Sequence, residues 1–119
     1  IRYRVLHVPI DAGYCHCRIC QKAMGSPFFA RALFGPQALT VEGETAKYPS
    51  SETLERVFCK RCGTRLFSRR TNGTAVGVAL AVFDDRNAFR PTEHIWVSEK
   101  MEWVTIDDGL KQYSESVPQ

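Results

Sequence analysis

The sequence predicts an all-β protein. Three observations carry that expectation: strand-like alternation at the start, many short apolar runs, and glycine, proline and asparagine punctuation between them.

Residues 1–8 alternate, with Ile1, Tyr3 and Val5 on one side and Arg2 and Arg4 on the other, as in a half-buried strand. Pro9 and the run Asp11, Ala12, Gly13 read as the turn that ends it. Residues 21–24 read as one helical turn, closed by Gly25, Ser26 and Pro27. Residues 28–34 are aromatic and apolar, a buried strand broken by Gly35 and Pro36. Short strands follow at 38–41 and 46–48, with a turn at Glu42 and Gly43 between them. Residues 56–58 run into a Cys-Lys-Arg-Cys-Gly segment and 64–68 run out of it, which places that segment at a hairpin tip. Asn72 and Gly73 mark a second hairpin turn, since both tolerate positive φ. Val76, Val78 and Leu80 continue as a strand, and Asp84 and Asp85 open a loop. Ile95, Trp96 and Val97 form a late apolar piece. Asp107, Asp108 and Gly109 turn the chain before residues 110–113 close it.

At 119 residues the chain has the length of one domain with one core, and no internal linker or repeat divides it. It contains no run of eighteen apolar residues, so no helical membrane span is expected. No secretory signal is visible, and the five cysteines fall into two metal-like clusters, which suits a reducing compartment such as the cytoplasm. The net charge of +3 is too small to indicate nucleic acid. Its distribution says more: Arg56, Lys60, Arg61, Arg65, Arg69 and Arg70 occur without an intervening acid around the second cysteine cluster. Such a patch can attract a small anion or a phosphate backbone. It reads equally as a solvated strand face.

The first cluster is Tyr-Cys-His-Cys-Arg-Ile-Cys at residues 14–20, which brings Cys15, Cys17 and Cys20 together. The second is Cys59 and Cys62, followed by Gly63. Thiolates are soft ligands, and a Cys-x-x-Cys turn lets two sulfurs reach one zinc ion. In extended backbone Cys15 and Cys17 share a face while His16 takes the other. Structural zinc sites are closed by four protein ligands and catalytic ones keep a position open. The spacing leaves both readings standing. A redox pair fits an odd cysteine count less well. Zinc on three thiolates is electron-rich, which suits capture of another thiol better than activation of water.

Other polar residues carry weaker expectations. His16 either orients substrate or packs outward, with packing preferred. His94 reads as a satisfied histidine at the core edge, and His7 as structural. Asp84 and Asp85 read as turn caps before they read as bases. Trp96 and Trp103 read as core, or as an aromatic wall near the metal.

The order of these pieces resembles the glutathione-dependent formaldehyde-activating enzyme family, which also includes centromere protein V. The resemblance rests on Ile-Arg-Tyr-Arg at 1–4, the three-cysteine cluster, Gly-Ser-Pro-Phe at 25–28, Phe-Cys-Lys-Arg-Cys-Gly at 58–63, Asp84 and Asp85, Pro-Thr-Glu-His-Ile-Trp-Val at 91–97, and Trp103. It spans almost the whole chain and implies a β-tent fold over residues 1–119, with zinc pinning antiparallel hairpins and folded sheets. It implies an active-site zinc on Cys15, Cys17 and Cys20. It also implies a structural zinc that Cys59 and Cys62 share with an upstream Cys-x-Cys pair. No cysteine precedes Cys15, so those partners are expected before Ile1, outside the sequence as given. The implied activity is a carbon–sulfur lyase acting on a thiol–aldehyde adduct of the S-hydroxymethylglutathione type, with glutathione as thiol partner. The alternative is a non-catalytic zinc module for protein or nucleic-acid contact.

Overall fold

The computed structural model describes residues 1–117, in which ten strands form two sheets. β1 (Arg2–Val5) and β4 (Leu39–Glu42) pair antiparallel as a small sheet. The large sheet comprises β2 (Asp11–Cys15), β3 (Phe29–Phe34), β5 (Thr45–Pro49), β6 (Leu54–Cys59), β7 (Arg65–Arg70), β8 (Val76–Ala79), β9 (Glu93–Ile95) and β10 (Lys111–Gln112). Its order is β10-β9-β2-β3-β8-β7-β6-β5. Neighbours are antiparallel except that β9 runs parallel to both β2 and β10. One short helix, α1 (Arg18–Met24), follows β2. The all-β expectation holds. No helix among the described residues is long and apolar enough to cross a membrane.

Register explains how one sheet serves two purposes. Ala12, Ala32, Val78, Phe67 and Val57 stand opposite one another across five strands, and all are buried. They form the centre of the core, and Tyr3 and Val5 of β1 and Leu39 and Val41 of β4 pack against it. Side chains alternate along each strand, so the adjacent row faces the other way. That row reads Leu33, Gly77, Ser68 and Arg56, with Arg31 and Cys15 two and four positions along. The small sheet covers the first face, and the candidate site occupies the second.

A bulge lets β6 and β7 fill the core. Val57 pairs with Phe67 and Phe58 with Arg65, so Leu66 is the extra residue. Leu66 and Phe67 are therefore both buried although adjacent.

Several expectations need correction. The run Asp11, Ala12, Gly13 is strand β2 rather than a turn. Gly13 serves close packing: a Cβ there would lie 2.7 Å from both the carbonyl oxygen and Oε1 of Glu93. In the hairpin turn only Gly73 takes positive φ, while Asn72 uses Oδ1 to accept from the Thr74 N–H and hydroxyl. His7 lies beyond β1 and is exposed. Trp103 is 71% exposed and belongs to no core. Asp85 does cap its turn, accepting from the Asn87 N–H.

Candidate metal centre

β2 carries Cys15 onto the second face of the sheet, and the chain then turns into α1. Cys17 is the N-cap of that helix. Its backbone is extended, and its Sγ accepts from the Cys20 N–H at 3.3 Å. A cap normally comes from an oxygen side chain, and here a sulfur takes the role. Gly25 closes the helix with φ near 60°, a conformation that glycine adopts without a Cβ penalty. Gln21 fastens the turn from outside, donating to the carbonyls of His16 at 2.7 Å and Glu99 at 3.0 Å.

The result brings Cys15, Cys17 and Cys20 together, with their Sγ atoms all within 4.8 Å of one another. Sulfurs 2.3 Å from a shared tetrahedral centre stand roughly 3.8 Å apart, so the cluster could hold a metal ion with small adjustments. Cys15 and Cys20 are buried, at 6% and 8% exposure. No fourth cysteine, histidine or carboxylate among the described residues joins the group.

Hydrogen bonds among the three thiols shift them in opposite directions. The Cys15 thiol is pushed far up, first by its hydrogen bond to Cys17. The Cys20 thiol is pulled strongly down by the bonds from Cys15 and Cys17, and then by the Arg56 guanidinium. Arg56 Nη2 lies 3.6 Å from Cys20 Sγ, and its Nε donates to Ser50 Oγ at 3.1 Å. The basic patch is therefore divided. Arg56, 5% exposed, has turned into the sheet face beside the cluster, while Arg69 pairs with Glu55 at 3.5 Å.

Behind the cluster stands a constellation that local sequence did not reveal. His16 does face away from the sulfurs, but it is fully buried rather than outward. Its Nε2 meets His94 Nδ1 at 2.8 Å, and His94 Nε2 meets Asp108 Oδ2 at 2.7 Å. Tyr14 stacks on His94 with ring centroids 4.6 Å apart. Asp108 is held below its ordinary carboxyl value by that bond. His16 is lowered by burial, which disfavours its cation. His94 is thus satisfied, as its neighbours in sequence suggested.

Trp96 borders the cluster and packs against the buried group made of Cys15, Cys20, Phe29 and Ala79. Its backbone is left-handed at φ 56°, a costly choice for an aromatic residue. Two bonds hold it there: the Trp96 N–H donates to Glu115 O and the Val97 N–H to Tyr113 O.

Cys59 and Cys62 lie at the β6–β7 hairpin tip. The Gly63 N–H closes the turn onto Cys59 O at 2.8 Å, and Gly63 has φ 77°. Cys62 Sγ lies 3.0 Å from Thr64 Oγ1, which first among several causes lowers its thiol to about 7. The two clusters are separate, and no third ligand among the described residues joins this pair.

This geometry agrees with what comparison finds. The model of the family described as "Glutathione-dependent formaldehyde-activating enzyme" matches residues 1–99. The chain belongs to this family. The matched span contains both cysteine clusters and β9 with His94. A protein of Schizosaccharomyces pombe named as an uncharacterized lyase is 41% identical over 59 residues, an alignment covering 50% of this chain and 43% of that protein. The chain thus spans less than half the length of that curated relative. A Rhodobacter sphaeroides protein of known crystal structure is similar at a TM-score of 0.58 and 20% identity, covering 93% of this chain and 89% of that one. That likeness shows a common fold.

Proposed function

We propose that the chain is a zinc-dependent carbon–sulfur lyase-type enzyme acting on the adduct of a thiol with an aldehyde. Glutathione and formaldehyde are the pair that the family's description names, and the yeast relative is named a lyase. The observation that carries the reading is the cluster of Cys15, Cys17 and Cys20 beside an arginine-lined cleft, with three sulfurs for a metal that takes four ligands. Zinc held there supplies a soft Lewis acid that favours the ionised form of a bound thiol. The remaining work falls to the chain. Trp96 and Phe29 exclude water from one side, and Arg56 offsets the negative charge of the sulfurs. The His16–His94–Asp108 chain fixes the back of the loop.

In the forward direction the thiol sulfur forms a bond to the carbonyl carbon. The C=O π pair moves to oxygen, and the proton lost by the thiol ends on that oxygen as a hydroxyl. Lysis reverses each step. We also assign Cys59 and Cys62 to a second, structural zinc completed by ligands preceding Ile1. In support, Ile1 packs on the Gly43 turn, with its Cα 3.0 Å from where a Gly43 Cβ would be. Five cysteines, none of them in a disulfide, suit a reducing compartment such as the cytoplasm.

The test is release of formaldehyde from S-hydroxymethylglutathione by zinc-loaded protein, with Cys20→Ser as control. Turnover lost in the control supports the reading. Equal rates with and without the intact cluster overturn it in favour of a zinc-binding module.

A further inference from the structure

The cleft beside the cysteines has a volume of about 230 Å³. Its charged lining is distinctive: Arg31, Arg56 and Arg70 line it, and no aspartate or glutamate among the described residues does. Register puts all three on one face. Arg56 stands opposite Ser68, which stands opposite Gly77. Arg70 lies two residues beyond Ser68, and Arg31 two before Leu33, the other partner of Gly77.

Small residues keep the space between them open. A Cβ on Gly77 would lie 3.1 Å from Ser68 Oγ and 3.3 Å from Leu33 Cδ2, so any larger residue there closes the floor. The conformation of Gly77 does not require glycine, since its φ is not positive. The space does.

Arg31 is 7% exposed and incompletely satisfied. Its ion partner is Asp11, at a long 3.8 Å, and its buried Nη1 has no hydrogen-bond partner among the described residues. A buried guanidinium donor without an acceptor is costly, and buried polar groups are nearly always paired. Arg56 and Arg70 form no ion pair with a carboxylate among the described residues. Guanidinium groups match carboxylates in shape as well as charge.

We propose that this cleft selects thiols carrying a carboxylate on a short arm, with Arg31, Arg56 and Arg70 receiving the carboxylate while the sulfur is directed to Cys15, Cys17 and Cys20. The proposal rests on the thiol-adduct reading and adds its substrate class. A volume of about 230 Å³ falls below the ~300–1,000 Å³ of ordinary ligand pockets. It admits the sulfur and one acidic arm, and leaves the rest of a larger thiol outside. Arg31, Arg56 and Arg70 are specificity-determining residues in this account.

Trp96 provides the readout. In a Trp103→Phe background it is the one remaining tryptophan, and its fluorescence follows occupancy of the cleft. Zinc-loaded protein is titrated with 3-mercaptopropionate, neutral 3-mercaptopropanol, cationic cysteamine, and sulfur-free propionate. Calorimetry serves as a second measure. The carboxylated thiol should bind at least about tenfold more tightly than the neutral one, the scale expected of charge-assisted hydrogen bonds. Arg70→Gln, at an exposed position, should reduce that preference several-fold without weakening the neutral thiol. Thiol binding with no charge preference overturns this inference and leaves the thiol reading standing. Propionate binding without any thiol binding overturns the thiol reading and retains the arginine cleft as a carboxylate site. Binding of none overturns both.

Discussion

His16 and His94 meet nitrogen to nitrogen at 2.8 Å in the buried layer behind the cysteine cluster, though 78 residues separate them. Removing either ring leaves a buried nitrogen on the other without its partner, which costs about 1–3 kcal/mol. Removing both eliminates that penalty. His16→Phe and His94→Phe should therefore each destabilise the fold, and the double variant should cost less than their sum by about 0.5–3 kcal/mol. Urea unfolding of the four proteins measures the coupling. Strict additivity would show that the contact contributes nothing.

Gly13 sits at the parallel seam between β2 and β9, opposite Glu93. Gly13→Ala forces a methyl to within 2.7 Å of the Glu93 carbonyl, a backbone atom that cannot rotate aside. We expect a loss of about 1–3 kcal/mol, as for other overpacked sites. Metal affinity should weaken too, because Cys15 lies two residues on. Urea unfolding and a competitive zinc titration test both. An alanine variant as stable as the parent would contradict the packing account.

Glu93 is 6% exposed, and burial raises its carboxyl above the ordinary value of 4.5. A raised folded-state value means that the native state holds the proton more tightly than the unfolded chain. The favourable contribution is complete below pH about 4.5 and is lost as pH rises through the folded value. Glu93→Gln keeps an acceptor for the Thr92 hydroxyl and removes the charge. Relative to the parent it should become progressively more stabilising as pH rises from about 4.5 to 7. Unfolding free energies across that range measure the difference. A difference that is flat or falls with pH contradicts it.

Cys17 joins two functions, capping α1 and facing the other two sulfurs. Cys17→Ser should preserve an acceptor for the Cys20 N–H while lowering zinc content at the first cluster. Cys62→Ser should leave that cluster loaded, because Cys59 and Cys62 lie outside it. Elemental analysis of both variants decides between two independent sites and one shared ion.

The sequence was most readable where its patterns are local. Alternation located β1, apolar runs located β3 and β8, and the strand-like flanks at 56–58 and 64–68 placed Cys59 and Cys62 at a hairpin tip. Gly13 misled because glycine signals both turns and close approach, and only the position of Glu93 tells them apart. Arg56 looked like a member of an exposed patch. Its burial depends on register with Ser68 and on Cys20, 36 residues earlier. The visible hint was Arg31, one charge within the apolar run Phe29–Phe34. The pairing of His16 with His94 depends on β9 running parallel to β2, which no local pattern encodes.

The claim on which the functional account depends is that Cys15, Cys17 and Cys20 hold zinc with one position free for a thiol. X-ray absorption at the zinc edge tests it directly, using a Cys59→Ser/Cys62→Ser variant so that only the first cluster is loaded. The account predicts three sulfurs at about 2.3 Å and one lighter neighbour, changing to four sulfurs when a thiol substrate is added. A shell already closed by four protein ligands, or one unchanged by saturating thiol, would contradict it.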